Sequence, residues 1–232
     1  MTEVQFTDKI TVEVVQVLAS DQMVCDAARV STLGKGAAAV GRPVAPLINA
    51  LMREHHGSPF EHNLFKFRVT APLNCWPQHL KHRVGWSYNA ESGRYSTFQP
   101  VFYLPPAERG LVQVGKAINY DIQQGSEEHR KDVLYMLEGQ ARSAYEVYRY
   151  LLDRGTAREV ARMALPGNLM TTYYTTCNAR SLMHFLALRT SNTGASHPQW
   201  EIEQIAAGYE EALAVHMPFT HGAFEEFGRI AP

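Results

Sequence analysis

Over residues 62–70 apolar and polar side chains alternate, with Asn63, Phe65, Phe67 and Val69 on one side and Leu64, Lys66, Arg68 and Thr70 on the other. A period of two predicts a strand with one greasy face. The β-branched run ITVEVVQVL at 10–18 predicts a second strand, NLMTTYYTT at 168–176 a third, and residues 94–103 a fourth. Elsewhere the period changes. Val133, Leu137, Ala141, Ala144, Tyr148 and Leu151 recur at spacings of three and four, which predicts a long helix over 127–154 with Gly155 at its C-cap. Shorter helices are predicted at 22–31, 44–55, 178–189 and 198–216, the third with Asn178 as a natural N-cap. Thr156 and Glu159 have capping-box spacing and open a short helix that Pro166 ends. A helix is also predicted over 72–83, with Pro72 near its start and Pro77 marking a kink or a later start. Three glycines and two prolines make 33–46 a mobile loop, and 104–126 reads as an irregular surface excursion. With no internal repeat and no linker, the expectation is one α+β domain over 1–232, with mixed helices packed on a central, mostly antiparallel sheet.

Composition narrows the function. The chain has 232 residues, is 45% hydrophobic and 19% charged, and so has ample material for a core. Lys+Arg is 22 against 23 for Asp+Glu, which argues against general nucleic-acid binding. No apolar run is long enough to span a membrane, and MTEVQFTDKI has neither the basic nor the apolar region of a secretory leader, so a cytoplasmic location is expected. Cys25, Cys75 and Cys177 are too few and too far apart for a disulfide framework or a zinc site. The ten histidines cluster, but EHHGSPFEH at 54–62 and His79-x-x-His82 lack metal-ligand spacing, and no metal is expected. GxGxxG, GxxxxGK[ST] and GxSxG are all absent, since Gly34-Lys35-Gly36 has the wrong spacing. A nucleotide cofactor would therefore need a non-Rossmann architecture.

The densest chemistry lies at 78–95, QHLKHRVGWSYNAESGRY. Its polar and cationic groups read either as a solvated helix end or as a pocket for an anion, where guanidinium and ammonium groups hold phosphate by charge-assisted hydrogen bonds. A second set follows at 158–189. Arg158 and Arg162 are four apart, as are Arg180 and His184 on the next helix, which ends at Arg189.

These segments resemble the flavin-dependent thymidylate synthases. KHRVGWSYNAESGRYS is similar to that family's Arg-His-Arg signature with its following serine, glycine, arginine and tyrosine. AARVS (27–31), HGSPFEH (56–62), Gln78, AR-x-x-LP (161–166), NARSL (178–182), LxLR (186–189) and H-x-QWEI (197–202) follow the family order, so the likeness spans about residues 14 to 225. The chain departs from the pattern in several places. Lys81 replaces the first arginine, and one extra residue, placed near Trp86, separates Arg83 from Ser92. That shift leaves Ala90 at the position of the family glutamate, with Glu91 beside it as the group expected to meet the ligand. His184 replaces a frequent asparagine, and the loop between Arg189 and His197 is longer than in many members.

The resemblance implies conversion of dUMP to dTMP, with 5,10-methylenetetrahydrofolate as carbon donor and NADPH as reductant through FAD. It implies a homotetramer with active sites between subunits. Carried over by position, Ser58, Lys81, His82, Arg83, Asn89, Glu91, Asn178, Arg180 and His184 would contact FAD, with His56 near the flavin. Gln78, Lys81, Glu91, Ser92, Gly93, Arg94, Arg162 and Arg189 would contact dUMP, with Ser92 and Arg189 closest to the chemistry. A cation at Arg189 would stabilise negative charge developing on the uracil, and Ser92, which has no base partner, would position rather than attack. Three alternatives stand beside this reading: a thiolate mechanism on Cys177, a nucleotide-binding or flavin-binding homologue with impaired or lost catalysis, and a metal site on the clustered histidines.

Overall fold

The computed structural model describes residues 3–34, 41–116, 119–191 and 197–232. In chain order the elements are β1 (Gln5–Thr7), β2 (Thr11–Leu18), α1 (Asp21–Leu33), α2 (Ala45–Arg53), α3 (Ser58–Glu61), β3 (Leu64–Pro72), α4 (Trp76–His79), β4 (Trp86–Ala90) and β5 (Val101–Tyr103). The hairpin β6 (Val112–Lys116) and β7 (Asn119–Gln123) follows, then α5 (Glu127–Asp153), α6 (Arg158–Ala161), β8 (Met170–Asn178), α7 (Ala179–Arg189), α8 (Trp200–His216) and α9 (Pro218–Glu226). This is the expected α+β class with antiparallel pairing dominant. The glycine-rich stretch and the loop before His197 fall mostly on 35–40 and 192–196, outside the described residues.

The chain forms two compact units. One comprises Met1–Lys9, Ala71–Trp76 and Glu91–Thr171; the other comprises Ile10–Thr70, Pro77–Ala90 and Thr172–Pro232. The chain passes between them five times, at 9/10, 70/71, 76/77, 90/91 and 171/172.

The first unit is built around α5. Ser126 caps its N-terminus, its side chain accepting from the His129 N–H at 3.1 Å. Gly155 ends it as expected, at φ 79°, with its N–H on the Leu152 carbonyl at 2.9 Å. The inner face of α5 places Ala141, Tyr145 and Tyr148 against Phe98, Phe102 and Leu169. The tyrosine hydroxyls are satisfied in this core. Tyr148 Oη accepts from the Phe98 N–H at 3.2 Å, and Tyr145 Oη donates to the Phe98 carbonyl at 3.3 Å. Arg130 gathers the irregular segment before the hairpin, donating to the carbonyls of Pro106 at 2.9 Å and Ala107 at 3.0 Å and to that of Arg109.

The second unit carries a four-stranded sheet in the order β2-β3-β8-β4. The alternation in β3 resolves as predicted. Phe65, Phe67 and Val69 are buried, and Leu64 and Arg68 are exposed. Phe67 meets Tyr209 of α8 with ring centroids 4.3 Å apart. Asp21 at the start of α1 accepts from the Phe219 and Thr220 N–H groups, both at 2.9 Å, and so caps the first turn of α9.

The structure corrects several local expectations. The helix over 72–83 shrinks to a 3-10 turn at Leu73–Cys75 and one turn of α4, because Pro72 closes β3 and the chain turns beyond His79. The strand over 94–103 reduces to β5, which pairs with β1 in parallel. The polar stretch 104–126 contains the β6–β7 hairpin. Thr156 does not cap a helix; α6 begins after Ala157, which makes no side-chain cap. β4, β1 and α9 were not foreseen.

Candidate active site

Two segments of the second unit build the site. The first is the turn between α4 and β4. Tyr88 on β4 sends its hydroxyl back to the carbonyls of His79, at 3.0 Å, and His82, at 2.8 Å. This pins the turn that presents Lys81, His82 and Arg83. Gly85 completes the turn at φ 69°, and a Cβ there would lie 2.3 Å from Ser181 Oγ and 2.6 Å from Asn178 Nδ2. Only glycine lets the turn sit this close to the start of α7. The second segment is α7 itself, capped by Asn178 Oδ1, which accepts from the Ser181 N–H at 2.8 Å.

Between these segments lies a cleft of about 580 Å³, lined by Glu61, Lys81, His82, Arg83, Val84, Gly85, Trp86, Asn178, Arg180, Ser181 and His184. That volume falls within the range of small-molecule sites. Lys81, Arg83 and Arg180 make its rim cationic, and the N-terminus of α7 adds a favourable dipole for an anion. Arg180 donates to Glu61 at 2.6 Å and to the Pro232 carbonyl. Burial, helped by Arg180, lowers the pKa of His184 from the usual imidazole value.

His82 makes the most informative contact. Arg189 Nε donates to His82 Nε2 at 3.0 Å. An arginine Nε–H can only donate, so His82 accepts there as a neutral ring with its proton on Nδ1. Burial, then the charges of Arg189 and His184, bring its pKa down to about 4. Arg189 closes α7, where a cation complements the helix dipole.

Beneath the turn, His79 is fully buried, with Nδ1 3.0 Å from Tyr173 Oη and Nε2 3.4 Å from Tyr209 Oη. The rings of Trp86, Tyr88 and Phe185 complete its cage. Burial first, then His82 and Arg189, bring its pKa down to about 3. It is a neutral member of the core.

Of the residues expected around FAD, the cleft brings together Lys81, His82, Arg83, Asn178, Arg180 and His184. His56, Ser58, Asn89 and Glu91 are exposed and are not among its lining residues. Asn89 sits on β4 opposite Tyr174, and β4 pairs with β8 in continuous register from Trp86 to Ala90. Gln78, in the second unit with Arg189, donates to Gln199 Oε1.

Lys81, also expected to contact dUMP, lies in the second unit, and Glu91, Ser92, Gly93, Arg94 and Arg162 belong to the first. Ser92 opens a turn, its carbonyl accepting from the Tyr95 N–H at 3.0 Å. Gly93 is buried against Phe98, whose ring leaves no room for a Cβ. Arg94 pairs with Glu159 at 3.1 Å, both more than half exposed, and Arg162 is exposed in the 3-10 turn after α6.

Glu61, Val84, Gly85, Trp86 and Ser181 were missed as cleft residues; the glycine at 85, beside the cationic triplet, is the one signal the sequence offered. The three cysteines are buried and none is in a disulfide. Burial lifts the Cys177 thiol well above its ordinary pKa, which disfavours a thiolate there. Among the described residues, the metal-type cluster is Glu210, His221 and Glu225, where the Arg229 guanidinium already pairs with Glu210 at 2.6 Å. No helix of the described residues is long and apolar enough to cross a membrane.

Among the described residues the chain is a mixed α+β scaffold with a cation-rimmed cleft and no Rossmann strand-turn-helix. The family described as Thymidylate synthase complementing protein matches residues 13–219. A flavin-dependent thymidylate synthase from Streptomyces coelicolor is 47% identical over 237 residues, covering 99% of this chain and 96% of its own. One from Tropheryma whipplei is 47% identical over 234 residues, covering 98% of this chain and 97% of its own. The structure of the UMP/dUMP methylase PolB from Streptomyces cacaoi, bound with 5-Br dUMP, superposes with a TM-score of 0.93 at 45% identity, covering 99% of this chain and 100% of that one. The chain belongs to the flavin-dependent thymidylate synthases, a family of flavoprotein methyltransferases that make dTMP.

Proposed function

We propose that this enzyme methylates dUMP reductively to dTMP, using 5,10-methylenetetrahydrofolate as carbon donor, NADPH as reductant and FAD as bound flavin. One observation carries the reading. A single cleft gathers Lys81, Arg83, Arg180 and His184 from two distant stretches of chain, and its His82 is hydrogen-bonded to Arg189. The cleft suits the cofactor chemically, since its rim offers cations and a helix start to a pyrophosphate, and Trp86 and Val84 offer apolar surface to a ring. When bound, the flavin supplies the redox chemistry, and the protein supplies binding, orientation and electrostatics.

In this reading Lys81, His82, Arg83, Asn178, Arg180 and His184 hold FAD, with His56, Ser58, Asn89 and Glu91 joining in the assembled enzyme. Gln78 orients the uracil. Ser92, Gly93, Arg94 and Arg162 bind the nucleotide, the arginines through its phosphate, and this remote grip places the ring for reaction. Arg189 stabilises the negative charge that builds on the uracil as C5 becomes nucleophilic. Residues 1–232 act as one functional domain in a cytoplasmic homotetramer. Exposed large side chains on α5, Tyr135 at 78% and Met136 at 67%, support burial by another subunit.

The test is a visible spectrum of the purified protein, followed by anaerobic flavin reoxidation with dUMP and methylenetetrahydrofolate and by tritium release from [5-³H]dUMP. A flavin spectrum with dUMP-dependent tritium release is expected. Flavin and dUMP binding without release would instead identify a homologue that has lost catalysis. Arg162→Ala should weaken dUMP capture, and unchanged affinity would remove Arg162 from the phosphate site.

A further inference from the structure

Resting on the proposed function, we propose that His82 is a positioning residue for Arg189, so that the imidazole lining the cofactor cleft also aims the cation that meets the uracil. The geometry supports this at three levels. The His82 backbone is fixed, because its carbonyl accepts from Tyr88 Oη at 2.8 Å and its N–H donates to the His79 carbonyl at 3.0 Å. The His82 ring is fixed, packed on Phe185 with centroids 4.6 Å apart. Phe185 lies four residues before Arg189 on α7, so ring and guanidinium are carried by one helical face. The Arg189 backbone is held from beyond the helix end. Thr190 accepts from Arg229 Nη2 at 3.2 Å, and the Ser191 N–H donates to Glu203 at 2.7 Å.

With the backbone anchored, the remaining freedom of Arg189 lies in its side-chain torsions. A hydrogen bond at Nε restrains rotation of the guanidinium and leaves its outer Nη donors for a uracil carbonyl oxygen. The acceptor must be an uncharged ring, and the environment supplies one. Arg189 and His184 both disfavour a second positive charge at His82, as does burial. The consequence is a coupling in which a ligand touching His82 in the cleft changes how firmly Arg189 is held.

The test measures dUMP affinity of the FAD-loaded enzyme for His82→Leu, His82→Gln and His82→Asn, alone and with Arg189→Ala, with flavin content read from the spectrum of each. His82→Leu should weaken dUMP binding about tenfold. His82→Gln should recover most of this, because its amide oxygen reaches the place of Nε2, whereas the shorter asparagine should not. In the Arg189→Ala background His82→Leu should add less than about twofold. Equal losses in both backgrounds, or rescue by asparagine as good as by glutamine, would overturn the proposal. A ligand-free crystal structure of His82→Leu provides a separate check. Arg189 should lose its single orientation there, and an unmoved guanidinium would refute the positioning role even if the proposed substrate were wrong. Failure of the wild-type protein to take up FAD or dUMP would count against the proposed function, not against this contact.

Discussion

The aromatic interior under β4 and the rim of the cleft share one short stretch of chain, yet they treat polar groups in opposite ways. In the interior, His79 is sealed between Tyr173 and Tyr209 and held neutral by desolvation. At the rim, two to four residues further on, Lys81 and Arg83 are exposed, while His82 is kept neutral by burial and then by the Arg189 guanidinium. The interior uses polar atoms to fix a shape, and the rim uses them to meet a ligand. Substitutions in the two regions should therefore fail in different assays.

The largest expected effect is beside the cleft, at the cation hydrogen-bonded to His82. Arg189→Ala should lower turnover by about three orders of magnitude with an unchanged melting temperature; full activity would remove Arg189 from the chemistry. Next comes the interior. His79→Leu should cost about 2–4 kcal/mol in a urea titration, since it removes the hydrogen bonds that Tyr173 and Tyr209 make to the buried ring. The same residue sets a pH signature. Unfolded histidine takes a proton near pH 6.5, whereas folded His79 resists until about 3. The unfolded state then binds the extra proton, so stability should fall as pH drops from 6.5, by about 1.4 kcal/mol per pH unit from His79. His82 adds a smaller slope over 6.5 to about 4, discounted because its ring is partly hydrated. His79→Leu should remove the larger share of that slope, and an unaltered pH profile would show that His79 is not the buried base inferred here.

Smaller still, Cys177→Ser should keep dTMP synthesis while lowering stability by about 1–2 kcal/mol, because a buried hydroxyl needs a partner. Loss of turnover in a folded variant would restore the thiolate mechanism. Last, Glu159→Ala breaks an exposed pair with Arg94 and should shift stability by less than about 0.5 kcal/mol. A larger shift would mean that this surface is structural after all.

Legibility of the sequence followed burial. β3 was readable because one face is packed and the other wet, so its alternation is clean, and α5 was readable because its stripe runs for several turns. β4 was hidden in a run rich in polar residues, where Trp86 and Tyr88 alternate with exposed Ser87 and Asn89 inside what reads as a ligand loop. The helix over 72–83 was over-read because nothing local announces that Tyr88 will capture the carbonyls of His79 and His82. At the candidate site, Lys81, His82, Arg83, Arg180 and His184 were legible as a set through their family spacing and do share a cleft. The contact between His82 and Arg189, 107 residues apart, follows from the tertiary fold and had no local signature.

Arg130 carries a further consequence. Its guanidinium grips the segment around Pro106 to Arg109 through main-chain oxygens alone. Such a clasp is indifferent to the identity of the residues it holds. Side-chain changes in that stretch should leave its course in place, whereas Arg130→Lys should loosen it, since a single ammonium lacks the span to hold several oxygens at once.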